Sequence, residues 1–167
     1  LLGHSYGCKV VLSAICFPKT LPRQVESLLL LQPAVNHLCF AENVLGRNRP
    51  GGYRKALERV MQPILSTYSR DDFPLHGAFH LALRRKRDLG EFEIAGADDP
   101  SSRFAALGGY GPRGAGEKLI QMPDVGELYA LNMDIGVYGV DGSELITSHT
   151  DVSNSVTWWA LHQQLRR

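Results

Sequence analysis

The sequence predicts an α/β protein with a mainly parallel sheet and helices on both faces. Three observations carry this. Short apolar runs of strand length alternate along the chain with segments of helical periodicity. One run, Leu28, Leu29, Leu30 and Leu31, is apolar at every position, as a strand covered on both faces must be. The opening Gly3-His4-Ser5-Tyr6-Gly7 has the glycine spacing of a very tight turn from strand into helix.

The elements follow in order. Leu1 and Leu2 end a buried strand, so the chain begins inside a strand, and preceding strands are expected upstream. Residues 5–17 form a helix, with Cys8, Val10, Val11, Ala14 and Ile15 as its apolar stripe, and Pro18 stops it. Residues 28–31 are the second strand. Residues 33–52 are irregular, with a loop at 47–52, and 53–60 form a short helix. Residues 63–68 read as a third strand, followed by the turn-rich Ser69-Arg70-Asp71-Asp72. A helix is predicted over 74–87 and a long glycine-rich loop over 95–116. Residues 128–133 read as a fourth strand, with 135–140 extending it or starting a hairpin. A last helix runs over 153–165, carrying Val156, Trp159, Ala160 and Leu165. No repeat divides the 167 residues, which form one domain.

Composition excludes several classes. A formal charge of +1 gives no field for broad capture of nucleic acid or anionic membrane. The local cluster Arg84-Arg85-Lys86-Arg87 reads as a solvated helix end. No apolar stretch reaches the roughly 18 residues of a membrane span, so stable membrane insertion is not expected. Three cysteines, Cys8, Cys16 and Cys39, form no framework and read as reduced thiols, consistent with a cytoplasmic setting. No metal site is predicted; His76 and His80 share a helical spacing without a third ligand and read as a face packed on the sheet. The glycines at 108–111 lack the preceding strand of a dinucleotide fingerprint, so no cofactor is predicted.

Three positions remain that can carry chemistry. A serine at the tip of so sharp a turn has strained backbone angles, and a side chain at either flanking glycine is expected to clash with nearby backbone. The following helix aims its N–H groups and positive dipole end at the same place. A serine hydroxyl needs a histidine base, and the base needs a carboxylate to orient it. With the order serine, acid, histidine, the acid is Asp72 or its neighbour Asp71. Asp72 is favoured because the turn of Ser69, Arg70 and Asp71 presents it beyond the strand end; helix capping is the competing role for both. Of six histidines, His4 sits inside the elbow with its ring expected to point away from the tip. His76, His80 and His162 lie on predicted helices, and His37 precedes the acid. His149 alone comes last and sits on a loop after the last strand.

At LLGHSYG, STYSRDDFPL and ITSHTDVSN the chain resembles the α/β-hydrolase superfamily, over nearly its whole length and as the C-terminal half of such a domain. The resemblance implies a partial α/β-hydrolase fold with Ser5 as nucleophile, Asp72 as acid and His149 as base. It implies the Tyr6 backbone N–H as one oxyanion donor, the other coming from an upstream loop. The implied activity is cleavage of a carboxylic ester, or of an amide or thioester, in a small-molecule or lipid-like acyl substrate, without a cofactor. Without the upstream strands, the apolar faces of residues 28–31 and of the first helix would lack cover. The alternative reading is a hydrolase-like binding or scaffold domain whose chemistry is unused.

Overall fold

A five-stranded sheet with every neighbouring pair parallel separates two apolar cores. The computed structural model describes residues 1–44, 48–79 and 105–166. Its elements are β1 (Leu2–His4), α1 (Tyr6–Cys16), β2 (Leu29–Leu31), α2 (Ala56–Arg59), β3 (Ile64–Tyr68), a π-helical turn (Pro74–Ala78), α3 (Leu107–Tyr110), β4 (Lys118–Gln121), β5 (Val137–Asp141) and α4 (Ser155–Leu165). In space the strands run β1-β2-β3-β5-β4.

Strand alternation explains the two cores. Leu28 and Leu30 join Ile64, Val137 and the α1 residues Cys8, Leu12, Ile15 and Cys16 on one face. Leu29 and Leu31 join Leu65, Tyr138, Val140 and the α4 residues Val156 and Ala160 on the other. The unbroken leucine run therefore serves both cores, and the expected helix-on-both-faces architecture is present. Residues 28–31 are fully covered, contrary to expectation.

The α1 stripe is rotated from the predicted one. Its buried residues are Cys8, Leu12, Ile15 and Cys16, an i, i+4, i+7, i+8 face. Val10 and Ala14 lie round the helix from that face and are exposed. Tyr6 and Phe17 are exposed with Val10, whereas Cys8 and Ile15 of the predicted stripe are covered. On α4, Val156 and Ala160 are buried, but Leu165, at the helix end, is exposed. An Asn154 capping box starts α4, its side chain accepting the Thr157 N–H.

The predicted fourth strand at 128–133 is not a strand. Tyr129 is fully buried in the second core and Leu131 packs partly against it, while Leu128 and Met133 are exposed. Turns at Leu131 and Ile135 and the Tyr138 hydroxyl, which accepts the Asn132 N–H, shape this segment instead. The strands lie on either side of it, at β4 and β5, and β5 pairs parallel with both β3 and β4 rather than forming a hairpin.

Of the expected glycine-rich loop, residues 95–104 lie outside the described residues, as do residues 80–87 of the helix predicted over 74–87, with its basic cluster and His80. Residues 107–110 form α3, packed in rather than loose. A Cβ on Gly108 would stand 2.5 Å from the Gln32 carbonyl carbon, and one on Gly109 would stand 2.9 Å from the His76 backbone. Glycine there permits backbone-on-backbone packing. His76 itself stacks on Tyr110, ring centroids 4.3 Å apart. Cys8, Cys16 and Cys39 are buried, and none forms a disulfide among the described residues. Among the described residues, no helix is long and apolar enough to cross a membrane.

Candidate active site

All three chemistry-bearing side chains follow the C-terminal ends of strands: Ser5 after β1, Asp72 after β3, His149 after β5. In a parallel sheet this edge is where loops converge on ligands. Three inter-strand spacings, roughly 14 Å, separate β5 from β1. The segment after β5 crosses that span, and Asp72 stands between its two ends.

Ser5 occupies φ 53° and ψ −126°, a region costly for a residue with a Cβ. Three backbone hydrogen bonds hold it there. Its N–H donates to Leu31 O at 3.1 Å, and its carbonyl accepts from Cys8 N–H at 3.1 Å and Ala34 N–H at 3.2 Å. The flanking glycines differ. A Cβ on Gly3 would come within 2.9 Å of Cys8 Cα, whereas one on Gly7 would meet nothing within 4 Å. Only Gly3 is sterically required by the described residues, which corrects the expectation for Gly7: it lies on the exposed side of α1 and points away from the turn.

Asp72 is fully buried while Asp71 is exposed. Asp72 Oδ2 accepts the His149 Nδ1–H at 2.7 Å. Its Oδ1 accepts the Leu75 N–H at 3.1 Å, so the capping role and the histidine contact are combined in one carboxylate. His149 Nε2 lies 2.8 Å from Ser5 Oγ, which donates to it. Because a carboxylate only accepts, this arrangement places the neutral imidazole proton on Nδ1 and leaves Nε2 as the acceptor. The described site thus joins Ser5, His149 and Asp72 in one hydrogen-bonded line, with Asp71 outside it.

The histidine segment is held from several sides. Gly142 N–H donates to Tyr68 O at 2.8 Å, Ser69 Oγ to Ile146 O at 2.7 Å, and Arg70 N–H to Ser143 Oγ at 3.0 Å. Asp151 accepts from the Thr147 N–H and Oγ1–H. The Thr147 N–H, with help from Asn154, holds the half-buried Asp151 carboxyl below its ordinary range.

At the other side of Ser5, α1 begins with no acidic residue in its first turn. Among the described residues the Tyr6 N–H has no acceptor, as the first N–H of a helix must lack one within the helix. It therefore remains able to donate beside Ser5. A groove of about 400 Å³ lined by Leu1, Leu21, Val25 and Leu165 opens at the opposite end of β1 and has no part in this cluster.

One contact was not foreseen. His4 does not point away from the site. Its Nε2 lies 3.0 Å from the His149 carbonyl oxygen, and the two rings are 5.1 Å apart. Strand alternation held the signal: Gly3 faces α1, so His4 has to face the other side of the sheet. No family model, curated protein or solved structure matches this chain.

Proposed function

We propose that this chain carries the catalytic centre of an α/β-hydrolase-type serine hydrolase that cleaves a carboxylic ester through an acyl-enzyme. The observation that carries the reading is the continuous hydrogen-bond line Asp72 Oδ2, His149 Nδ1, His149 Nε2, Ser5 Oγ. Such a line activates a hydroxyl that is otherwise a weak nucleophile.

Ser5 Oγ attacks the acyl carbonyl carbon while His149 Nε2 takes its proton. The carbonyl oxygen becomes an oxyanion, stabilised by the Tyr6 N–H and the positive end of α1. Asp72 keeps the imidazole in the required tautomer and stabilises the imidazolium. His149 then protonates the leaving alcohol as the tetrahedral intermediate collapses to the ester of Ser5. Water, deprotonated by His149, attacks that ester, releases the carboxylic acid and returns the proton to Ser5. An amide or thioester is cleaved by the same steps, with the amine or thiol leaving. The substrate class is a small-molecule or lipid-like acyl compound.

The test is covalent labelling by a fluorophosphonate, with the adduct located by peptide mass spectrometry. The reading requires an adduct on Ser5 that is lost in Ser5→Ala and Asp72→Ala. A folded protein that takes no label would overturn it and leave a binding domain.

A further inference from the structure

We infer that His4 is a positioning residue for His149, tying the backbone of the base to the strand that carries the nucleophile. The inference rests on the hydrolase reading above. A carbonyl oxygen can only accept, so the 3.0 Å contact makes His4 Nε2 the donor to His149 O. The two histidines therefore hold their protons on opposite ring nitrogens: Nε2 in His4, Nδ1 in His149.

The other ties of residues 147–151 are local. Thr147 bonds Asp151, the Asp151 N–H bonds Ser148 O, and Asn154 bonds Asp151. They shape the turn without locating it. Ser69 Oγ fixes Ile146, which sits on the β3 side of the site. Apart from the side-chain line through Ser5 and Asp72, the His4 bond is the one tie among the described residues from 147–151 to β1. It acts on the same residue that supplies the base. His4 directly precedes Ser5, so any displacement of β1 moves nucleophile and clamp together. The distance from Ser5 Oγ to His149 Nε2 is then set by two neighbouring residues, the last of β1 and the one that follows it. The tilted stacking of the two rings, 35° between planes, limits rotation of the base about its Cβ.

Removing the donor while keeping the ring shape tests this, as does restoring a donor of similar reach. His4→Phe should lower kcat for a p-nitrophenyl ester by roughly five- to tenfold, the worth of one ordinary hydrogen bond, with KM within about twofold. His4→Gln, whose side-chain N–H reaches as far as Nε2, should recover most of the loss. Amide hydrogen exchange supplies a readout that does not depend on turnover. In His4→Phe the Thr147 and Asp151 amides should exchange roughly tenfold faster with β2 amides unchanged, and His4→Gln should restore them.

Wild-type kcat and unchanged exchange in His4→Phe would overturn the inference, as would His4→Gln behaving like His4→Phe. If the unaltered protein shows no Ser5-dependent turnover, the hydrolase reading fails on its own. The exchange comparison then still decides whether His4 holds the loop.

Discussion

Asp72 grips His149 with one carboxylate oxygen and its own turn with the other. Oδ2 accepts from the imidazole at 2.7 Å while Oδ1 accepts from Leu75 N–H at 3.1 Å. The second bond fixes the direction of the first, because a carboxylate anchored at one oxygen cannot rotate away from its partner. Its exposed neighbour Asp71 has no such anchor: its N–H donates to Ser69 Oγ and its carboxyl faces solvent.

The first prediction separates the two acids. Asp72→Asn should lower kcat by roughly a thousandfold or more, since an amide can donate to Nδ1 and favour the wrong tautomer. Asp71→Asn should leave kcat unchanged. Steady-state ester hydrolysis by both variants checks this, and a loss confined to Asp71→Asn would reverse the assignment.

The second concerns the strain at Ser5. Its φ of 53° is held against a cost of about 1–3 kcal/mol. Glycine accepts that angle freely, at an offsetting loss of about 0.5–1 kcal/mol through the unfolded chain. Alanine keeps the Cβ and hence the strain. Both Ser5→Gly and Ser5→Ala should be inactive, yet Ser5→Gly should be more stable than Ser5→Ala by about 1 kcal/mol in urea denaturation. Equal stability of the two would mean that the strain at the elbow does not exceed the glycine offset of about 0.5–1 kcal/mol.

How far the sequence reaches depends on how local each cause is. The Ser5 elbow was legible because its sterics lie within five residues. The leucines at 28–31 were legible because a strand covered on both faces has no polar side to show. Asp72 and His149 were found by order and by position after strands, which is a property of parallel sheets rather than of either residue. The tie from His4 to His149 spans 145 positions: strand alternation gives the side that His4 faces, but no local pattern names its partner. The edge strand β4 was missed because its burial alternation is almost absent: three of its four residues are exposed. The false strand at 128–133 arose because one deeply buried ring, Tyr129, sits among apolar neighbours that face solvent. On α1, the choice between Val10 and Leu12 as the inward residue turns on the angle at which the helix lies across the sheet, which periodicity leaves open.

The third prediction follows from the unequal glycines of the elbow. A Cβ at Gly3 would press on the backbone of Cys8 at 2.9 Å, and backbone cannot swing aside as a side chain can. Gly3→Ala should cost about 1–3 kcal/mol, the range for overpacking, and should lower kcat as well by displacing Ser5. Gly7→Ala places its methyl in open space within the first turn of α1. It should be neutral or stabilising by up to about 1 kcal/mol through helix propensity. Thermal denaturation of the two variants decides; a Gly7→Ala as damaging as Gly3→Ala would show that something else covers this side of α1.

The last prediction is alkaline lability centred on the same turn. Burial pushes the Cys8 thiol from 9.0 up to about 12, against weaker lowering by backbone hydrogen bonding. Burial, and then the adjoining Asp141 carboxylate, push the Tyr68 phenol from 10.0 up to about 12. Both folded-state values are raised, so the folded protein binds more protons than the unfolded chain across this interval. The stability these groups contribute is fully present below pH 9 and is lost as pH rises toward 12. Cys8 Sγ lies 3.8 Å from Leu31 O, the oxygen that also accepts the Ser5 N–H, so a thiolate forming there strikes at the elbow itself. Urea midpoints should therefore fall steadily between pH 9 and 11. In Cys8→Ala the decline should be shallower, since the Cys16 thiol and the Tyr68 and Tyr129 phenols, also raised by burial, remain. An identical decline in both proteins would remove Cys8 from the account and leave the other buried thiol and phenols to explain it.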